Sequence, residues 1–254
     1  MKKRSQSVRG THVPRLVFGV ILPVAIAVTG CGRLESAELP ESSDDEPTST
    51  GVLNAAFVVA ETVFNSELMA PYDILHHTKY RDGDNYIRPF IVSEDGGSFT
   101  TFEGLQIDAH YAFDDHPRID ILVIPSTDNS MSADLENKRY IGWIKHVASE
   151  ASYVVTLCDG AFALAATGLL DGRSATTFPS DRDRLAAMFD QVDVRHDVNF
   201  VVDDQFITSA GGALSYEPAL YLVERLYSVE SAQRTAGGLV IDWDLDRIPH
   251  YVTP

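Results

Sequence analysis

Positive charge is scarce in this chain. Lysine and arginine number 20 against 37 aspartates and glutamates, a formal net charge of -17 over 254 residues. That balance excludes a general affinity for nucleic acid or anionic lipid, because phosphate contacts need clustered cations. Metal-ligand patterns are missing as well. His76 and His77 are neighbours, and a helix would splay them by about 100°. The acidic pairs Asp114–Asp115 and Asp203–Asp204 lack the ligand loop of a calcium site. No metal and no cofactor is expected. Cysteine is limited to Cys31 and Cys158. No internal repeat divides the chain, and 44% hydrophobic residues suffice for one substantial core.

The first segment reads as an export signal. Lys2, Lys3, Arg4, Arg9 and Arg15 precede the apolar stretch "LVFGVILPVAIAVTG", Leu16 to Gly30, which is short for a membrane-spanning helix. The small residues of "VTG" stand directly before Cys31. This arrangement resembles a bacterial lipoprotein signal, which implies cleavage before Cys31 and lipid on its thiol. It also implies a membrane-anchored protein on the exported side of the bacterial cell envelope. Residues 1–30 then stand outside the fold. They hold five of the 20 basic residues and no acidic one, leaving 15 basic against 37 acidic residues, a net of -22. Residues 31–51 begin with Cys31 and are otherwise polar, acidic and rich in Ser, Thr and Pro, the composition of a flexible tether. With Cys31 lipidated, Cys158 has no partner within the chain and remains a free thiol.

Residues 52–254 alternate between strand-like and helix-like patterns. "LNAAFVVA" (53–60), "IDILVIP" (119–125) and "SYVVTLC" (152–158) are continuous apolar runs, as expected of strands buried on both faces. "YIRPFIVS" and "GLQIDAHYAF" read as strands flanking a turn at Gly96 and Gly97. Helices are expected over 67–78, 134–151, 160–170 and 213–228, and a hairpin with an Asp-containing turn over 198–209. "GLVIDW" near the end is strand-like without an obvious place. Strands alternating with helices predict a single α/β domain with a mainly parallel sheet covered on both faces. Functional groups gather beyond the carboxyl ends of such strands, where Cys158 falls.

The junction "TLCDGA" has the makings of a nucleophile elbow. A sharp turn would lift the thiol out of the sheet, and the small Gly160 and Ala161 let a helix begin close by. Free N–H groups at that helix start, those of Asp159 and Gly160, favour a thiolate and can hold a developing oxyanion. On pattern alone, a cysteine simply packed at a strand end remains an equal reading.

"VVTLCDGAFALAATGLLDGRSATTFP" resembles the nucleophile segment of the ThiJ/PfpI family, relatives of class I glutamine amidotransferases. "SELMAPYDIL", "IDILVIP" and "VVDDQFITSAGGALSYEPALYLVERLY" resemble three further family segments in the same order. The resemblance implies a flavodoxin-like three-layer sandwich, often a homodimer, with Cys158 as the reactive thiol. It implies Glu67 as the neighbouring acid, the Asp159 N–H as an oxyanion donor, and Ser126 or Thr127 where members carry Gly-Gly. The Asp159 carboxylate is read as a helix cap. Phe178 stands where members often carry histidine, and phenylalanine cannot transfer a proton. The activity implied is hydration or hydrolysis of a small carbon–nitrogen substrate, isonitrile hydratase-like or amidase-like. The alternative is a non-catalytic ligand-binding or redox-sensing module of the same fold.

Overall fold

Continuous apolar runs become the interior strands. The computed structural model describes residues 51–80 and 85–254; the expected export signal, the expected lipid site Cys31 and all but the last residue of the expected tether lie outside the described residues. In chain order, β1 (Val52–Val58) leads through α1 (Asn65–His77) to β2 (Tyr86–Val92). A small antiparallel ribbon follows, β3 (Ser98–Thr100) with β4 (Gln106–Asp108). Then come β5 (Ile121–Ile124), α2 (Ala133–Glu136), α3 (Lys138–Glu150), β6 (Tyr153–Leu157) and α4 (Gly160–Ala166). The second ribbon pairs β7 (Ser174–Ala175) with β8 (Asp193–Val194) around α5 (Arg182–Met188). The chain finishes with β9 (Phe200–Asp203), β10 (Phe206–Ser209), α6 (Tyr216–Leu226), α7 (Val229–Gly238) and β11 (His250–Val252).

Seven strands form one sheet in the order β11-β9-β10-β6-β5-β1-β2. The run from β2 to β10 is parallel throughout, while β9 joins β10 antiparallel and β11 lies parallel to β9. Side chains alternate across this sheet, so each strand feeds two cores. Ala56, Leu122, Ile124 and Val154 meet Ile144, Phe162 and Leu185 from α3, α4 and α5. Phe57, Ile121, Val123, Val155 and Leu157 meet Leu68, Ile74, Leu220 and Ala232 from α1, α6 and α7. Helices therefore cover both faces, giving the flavodoxin-like α/β sandwich. Burying each large apolar side chain contributes roughly 1.5–3 kcal/mol, which is why strands with no polar face are confined to the middle of the sheet.

Several elements differ from expectation. The helix expected over 134–151 is broken at Asn137, whose side-chain oxygen accepts from the Arg139 and Tyr140 N–H groups at 3.1 Å each and caps α3. The helix expected over 160–170 ends at Ala166, and Gly168 takes φ 80° just beyond it. "GLQIDAHYAF" supplies only the short β4 and a single bridge from Tyr111 to Val92, so it never enters the main sheet as a strand. In the tail, "GLVIDW" is not a strand. α7 ends within it, Val240 is exposed, and Trp243 folds back to donate to Glu224 at 2.7 Å. The closing strand is β11 instead.

Candidate active site

Cys158 follows the last residue of β6 at φ 53°, in the left-handed region that a side chain with a Cβ enters at a cost of about 1–2 kcal/mol. Three contacts hold it there. Its N–H donates to the Ser209 carbonyl at the end of β10 at 3.0 Å. Its carbonyl accepts from the Thr177 hydroxyl at 2.8 Å. Gly211, at φ 73°, lies so close that a Cβ there would stand 2.3 Å from that of Cys158. Gly160 is constrained in the same way, since its Cβ would lie 2.1 Å from the Ile124 carbonyl oxygen. Two glycines thus let the turn and α4 sit directly on the strand ends. Cys158 as a whole is 7% exposed.

Glu67 reaches this turn from α1 and is 3% exposed. One of its oxygens, Oε2, accepts from the Ser126 N–H at 3.0 Å and from the Ser126 hydroxyl at 2.6 Å. Its Oε1 accepts from the Gly212 N–H at 3.4 Å. The Cys158 thiol is close enough to this carboxyl group for each to act on the other's proton. Burial raises the Glu67 pKa against the pull of these hydrogen bonds. Burial likewise pushes the Cys158 thiol far up, and the charges of Glu67 and Asp159 add to the effect. With no cation among these contacts, thiolate and carboxylate disfavour each other. One proton therefore serves the pair.

Asp159, just ahead of α4, makes no capping hydrogen bond with its side chain. Its Oδ1 accepts instead from the Thr177 hydroxyl at 2.9 Å, and its backbone N–H helps to restrain the Cys158 pKa. Burial lifts the Asp159 carboxyl to about 6, helped by the charges of Asp181 and Glu67 and restrained by Thr177 and Arg184. Ser126 is fully buried, donates its N–H and its hydroxyl to Glu67, and its side chain also restrains the Cys158 pKa, so it lies between acid and thiol. Thr127 points into its own loop: its N–H donates to Ser130 at 2.8 Å and its hydroxyl to Asp134. Phe178 is 41% exposed at the start of the next turn. Neither His76 nor His77 nor His196 contacts this group; His77 turns back on Asp73, and His196 lies 3.9 Å from Asp183. Among the described residues, no group of three His, Cys, Asp or Glu side chains is placed to hold a metal ion.

Four residues join the site without having been singled out from the sequence. Gly211 and Gly212 had a signal, since paired glycines after a strand mark close approach or left-handed backbone. Thr177 lay within the quoted nucleophile segment with no role given to it, and Arg182 had no signal. Arg182 is 8% exposed and donates to the Thr176 hydroxyl at 3.0 Å and to the carbonyls of His196 and Val198. It anchors the segment that carries Thr177. A cavity of about 430 Å³ stands apart from Cys158; it opens beyond β1 and β2, and Asn129 of the loop after Ser126 forms part of its wall.

The DJ-1/PfpI family profile matches residues 54–225, a span that includes Glu67, Ser126, Cys158 and Gly211. Isonitrile hydratase of Pseudomonas putida is 29% identical over 181 residues, covering 71% of this chain and 75% of that protein. A THiJ/PfpI family protein from Pseudomonas syringae superposes with a TM-score of 0.67 at 23% identity, covering 81% of this chain and 84% of its own. DJ-1beta of Drosophila melanogaster gives a TM-score of 0.65 at 22% identity, with 76% of this chain and all 100% of its own covered. The fold and the residue match together establish that this chain belongs to the DJ-1/PfpI family.

Proposed function

We propose that this chain is a cysteine-dependent hydratase or hydrolase of a small carbon–nitrogen substrate, held at a membrane by lipid on Cys31. The observation that carries the reading is the buried Glu67–Cys158 pair on a left-handed elbow. Such a pair needs no histidine: the carboxyl group takes the thiol proton as sulfur attacks and returns it later. The likeness to an isonitrile hydratase supports the choice of substrate class. For an isonitrile, sulfur bonds to the terminal carbon, and the thiol proton passes through Glu67 to that same carbon, giving a thioimidate. Water then adds to this carbon, a proton goes to nitrogen, and the carbon–sulfur bond breaks to release an N-substituted formamide and the thiol. The sum is isonitrile plus water, with no change of oxidation state. The Asp159 N–H steadies charge beside the sulfur, a role supported by its restraining effect on the Cys158 pKa.

The test is turnover of an isonitrile and amide panel, followed by mass of the product. Cys158→Ser is expected to abolish it, and Glu67→Gln to lower it by about 10²-fold or more. Unchanged turnover in Cys158→Ser would sink the reading. A non-catalytic ligand-binding module is the second reading, favoured by a cysteine only 7% exposed and by Phe178 at the position of the expected histidine. That reading expects reversible ligand binding with no product and no dependence on Glu67 protonation.

A further inference from the structure

The sheet order reverses between β1 and β5: α1 carries the chain from β1 to β2 on one side, while β5, β6 and β10 follow on the other. Loops leaving neighbouring strands in opposite directions open a crevice at such a point. The cavity of about 430 Å³ lies there, lined by residues that follow β1, β2 and β5 and by the start of α3. Its size suits a small molecule.

Its walls are unequal in charge. Glu61, Glu94, Asp95 and Asp134 line it against Arg139, which is already shared between Glu94 at 3.5 Å and Asp114 at 2.8 Å. Glu61 uses Oε2 for the Thr100 N–H, Asp95 uses Oδ1 for the Gly97 N–H, and Asp134 uses Oδ2 for Thr127. Each of these three keeps its other oxygen without a donor among the described residues. Acidic groups alone would only be hydrated. Tyr140 is the independent sign of a ligand: it is 4% exposed and lines the cavity, yet its hydroxyl makes no hydrogen bond among the described residues. The ring is buried while the hydroxyl stays reachable from the cavity, where a ligand can supply the partner a phenol ordinarily finds. Val59 and Phe99, both almost fully buried, give the cavity an apolar surface beside the carboxylates.

We propose that this crevice is a second binding site, apart from Cys158, for a small organic cation: an ammonium group on a short aliphatic chain. The ammonium meets the open oxygens of Glu61 and Asp134 and the Tyr140 hydroxyl, and the chain lies on Val59 and Phe99. Calorimetry and melting of the full chain with butylammonium, butanol and butyrate test it. Butylammonium is expected to bind and to raise the melting temperature with concentration, with butanol and butyrate leaving it unmoved. The double variant Glu61→Gln with Asp134→Asn should weaken binding by about tenfold or more, and Tyr140→Phe by roughly threefold to tenfold. Both amide replacements keep the acceptor oxygens used by Thr100 and Thr127, and Tyr140→Phe keeps the ring. Should the double variant fail to fold, the Tyr140→Phe comparison decides alone. No butylammonium binding at millimolar concentration, binding of butyrate as tight as that of the cation, or affinity unmoved by Tyr140→Phe and by the double variant would each overturn the proposal.

Discussion

Asp159 shows how one residue can matter to both stability and reactivity. Burial raises its carboxyl from the ordinary 3.8 to about 6. A carboxyl group with a folded value above its unfolded one binds its proton more tightly in the fold. Its contribution to stability is complete below 3.8 and is lost as pH rises through about 6. Above that range the folded chain carries a charged group that it would bury more easily neutral. Asp159→Asn should therefore raise stability in mildly alkaline buffer by roughly 1–2 kcal/mol, after allowance for screening of a partly exposed group. Melts below the ordinary carboxylate range should show no gain. The same variant removes one of the charges that hold the Cys158 proton in place. Alkylation of Cys158 at neutral pH, followed by peptide mass, should accelerate severalfold. A slower reaction would mean that the Thr177–Asp159 contact matters more than the charge. At this scale, Cys158 and Glu67 were legible because an apolar run stopping at a cysteine, and a family segment bearing an acid, are local patterns. Thr177 and Arg182 were not, because their roles are set by backbone atoms brought together from 19 residues away at Cys158 and 14 and 16 away at His196 and Val198.

Helices of this fold are placed by contact with the sheet more than by propensity, and two glycines separate the effects. Gly160 opens α4 against the Ile124 carbonyl, with a Cβ position 2.1 Å from that oxygen. Gly142 lies within α3 with nothing within 4 Å of its Cβ position. Gly142→Ala should stabilise by about 0.5–1 kcal/mol, since alanine gives up less backbone freedom in a helix. Gly160→Ala should destabilise by roughly 2–4 kcal/mol, because α4 must shift off β5 and take the Cys158 turn with it. Denaturant melts check both, and equal signs for the two variants would contradict the packing argument. The same distinction governs which elements could be read from the sequence. The runs at β1, β5 and β6 are apolar on both faces, and only an interior strand suits them. The break at Asn137 depends on a cap that competes with an otherwise continuous helical pattern. β11 is three residues long and gains its strand character from pairing with β9, some 50 residues earlier, so no local period announces it. "GLVIDW" is strand-like in composition but pairs with no strand among the described residues, and Trp243 is instead buried and bonded to Glu224 of α6.

On the scale of the whole molecule, net charge and the proposed lipid anchor act in opposite directions. The chain carries a formal net charge of -17, and -22 without residues 1–30, which hold five basic residues and no acidic one. A domain so acidic is repelled by anionic lipid, and the repulsion reaches about 10 Å at moderate ionic strength. Attachment at a membrane must then come from hydrocarbon. Each buried methylene contributes about 0.8 kcal/mol, and stable anchoring takes more than one acyl chain, as a modified Cys31 would supply. With the proposed lipid on Cys31, the acidic residues of 31–51 would add to that repulsion. Expressed in a bacterial host, the wild-type chain is expected in the membrane fraction, resistant to high salt and released by detergent. Cys31→Ser should shift it out of the lipid-modified pool, detectable as loss of the acyl mass on the Cys31 peptide, while Cys158→Ser leaves that peptide unchanged. If Cys31→Ser retained both full detergent dependence and an unprocessed Leu16–Gly30 segment, that segment alone would be sufficient as an anchor. If the wild-type Cys31 peptide carried no acyl group, the lipid reading would be lost, and Cys31 would become an available partner thiol for Cys158.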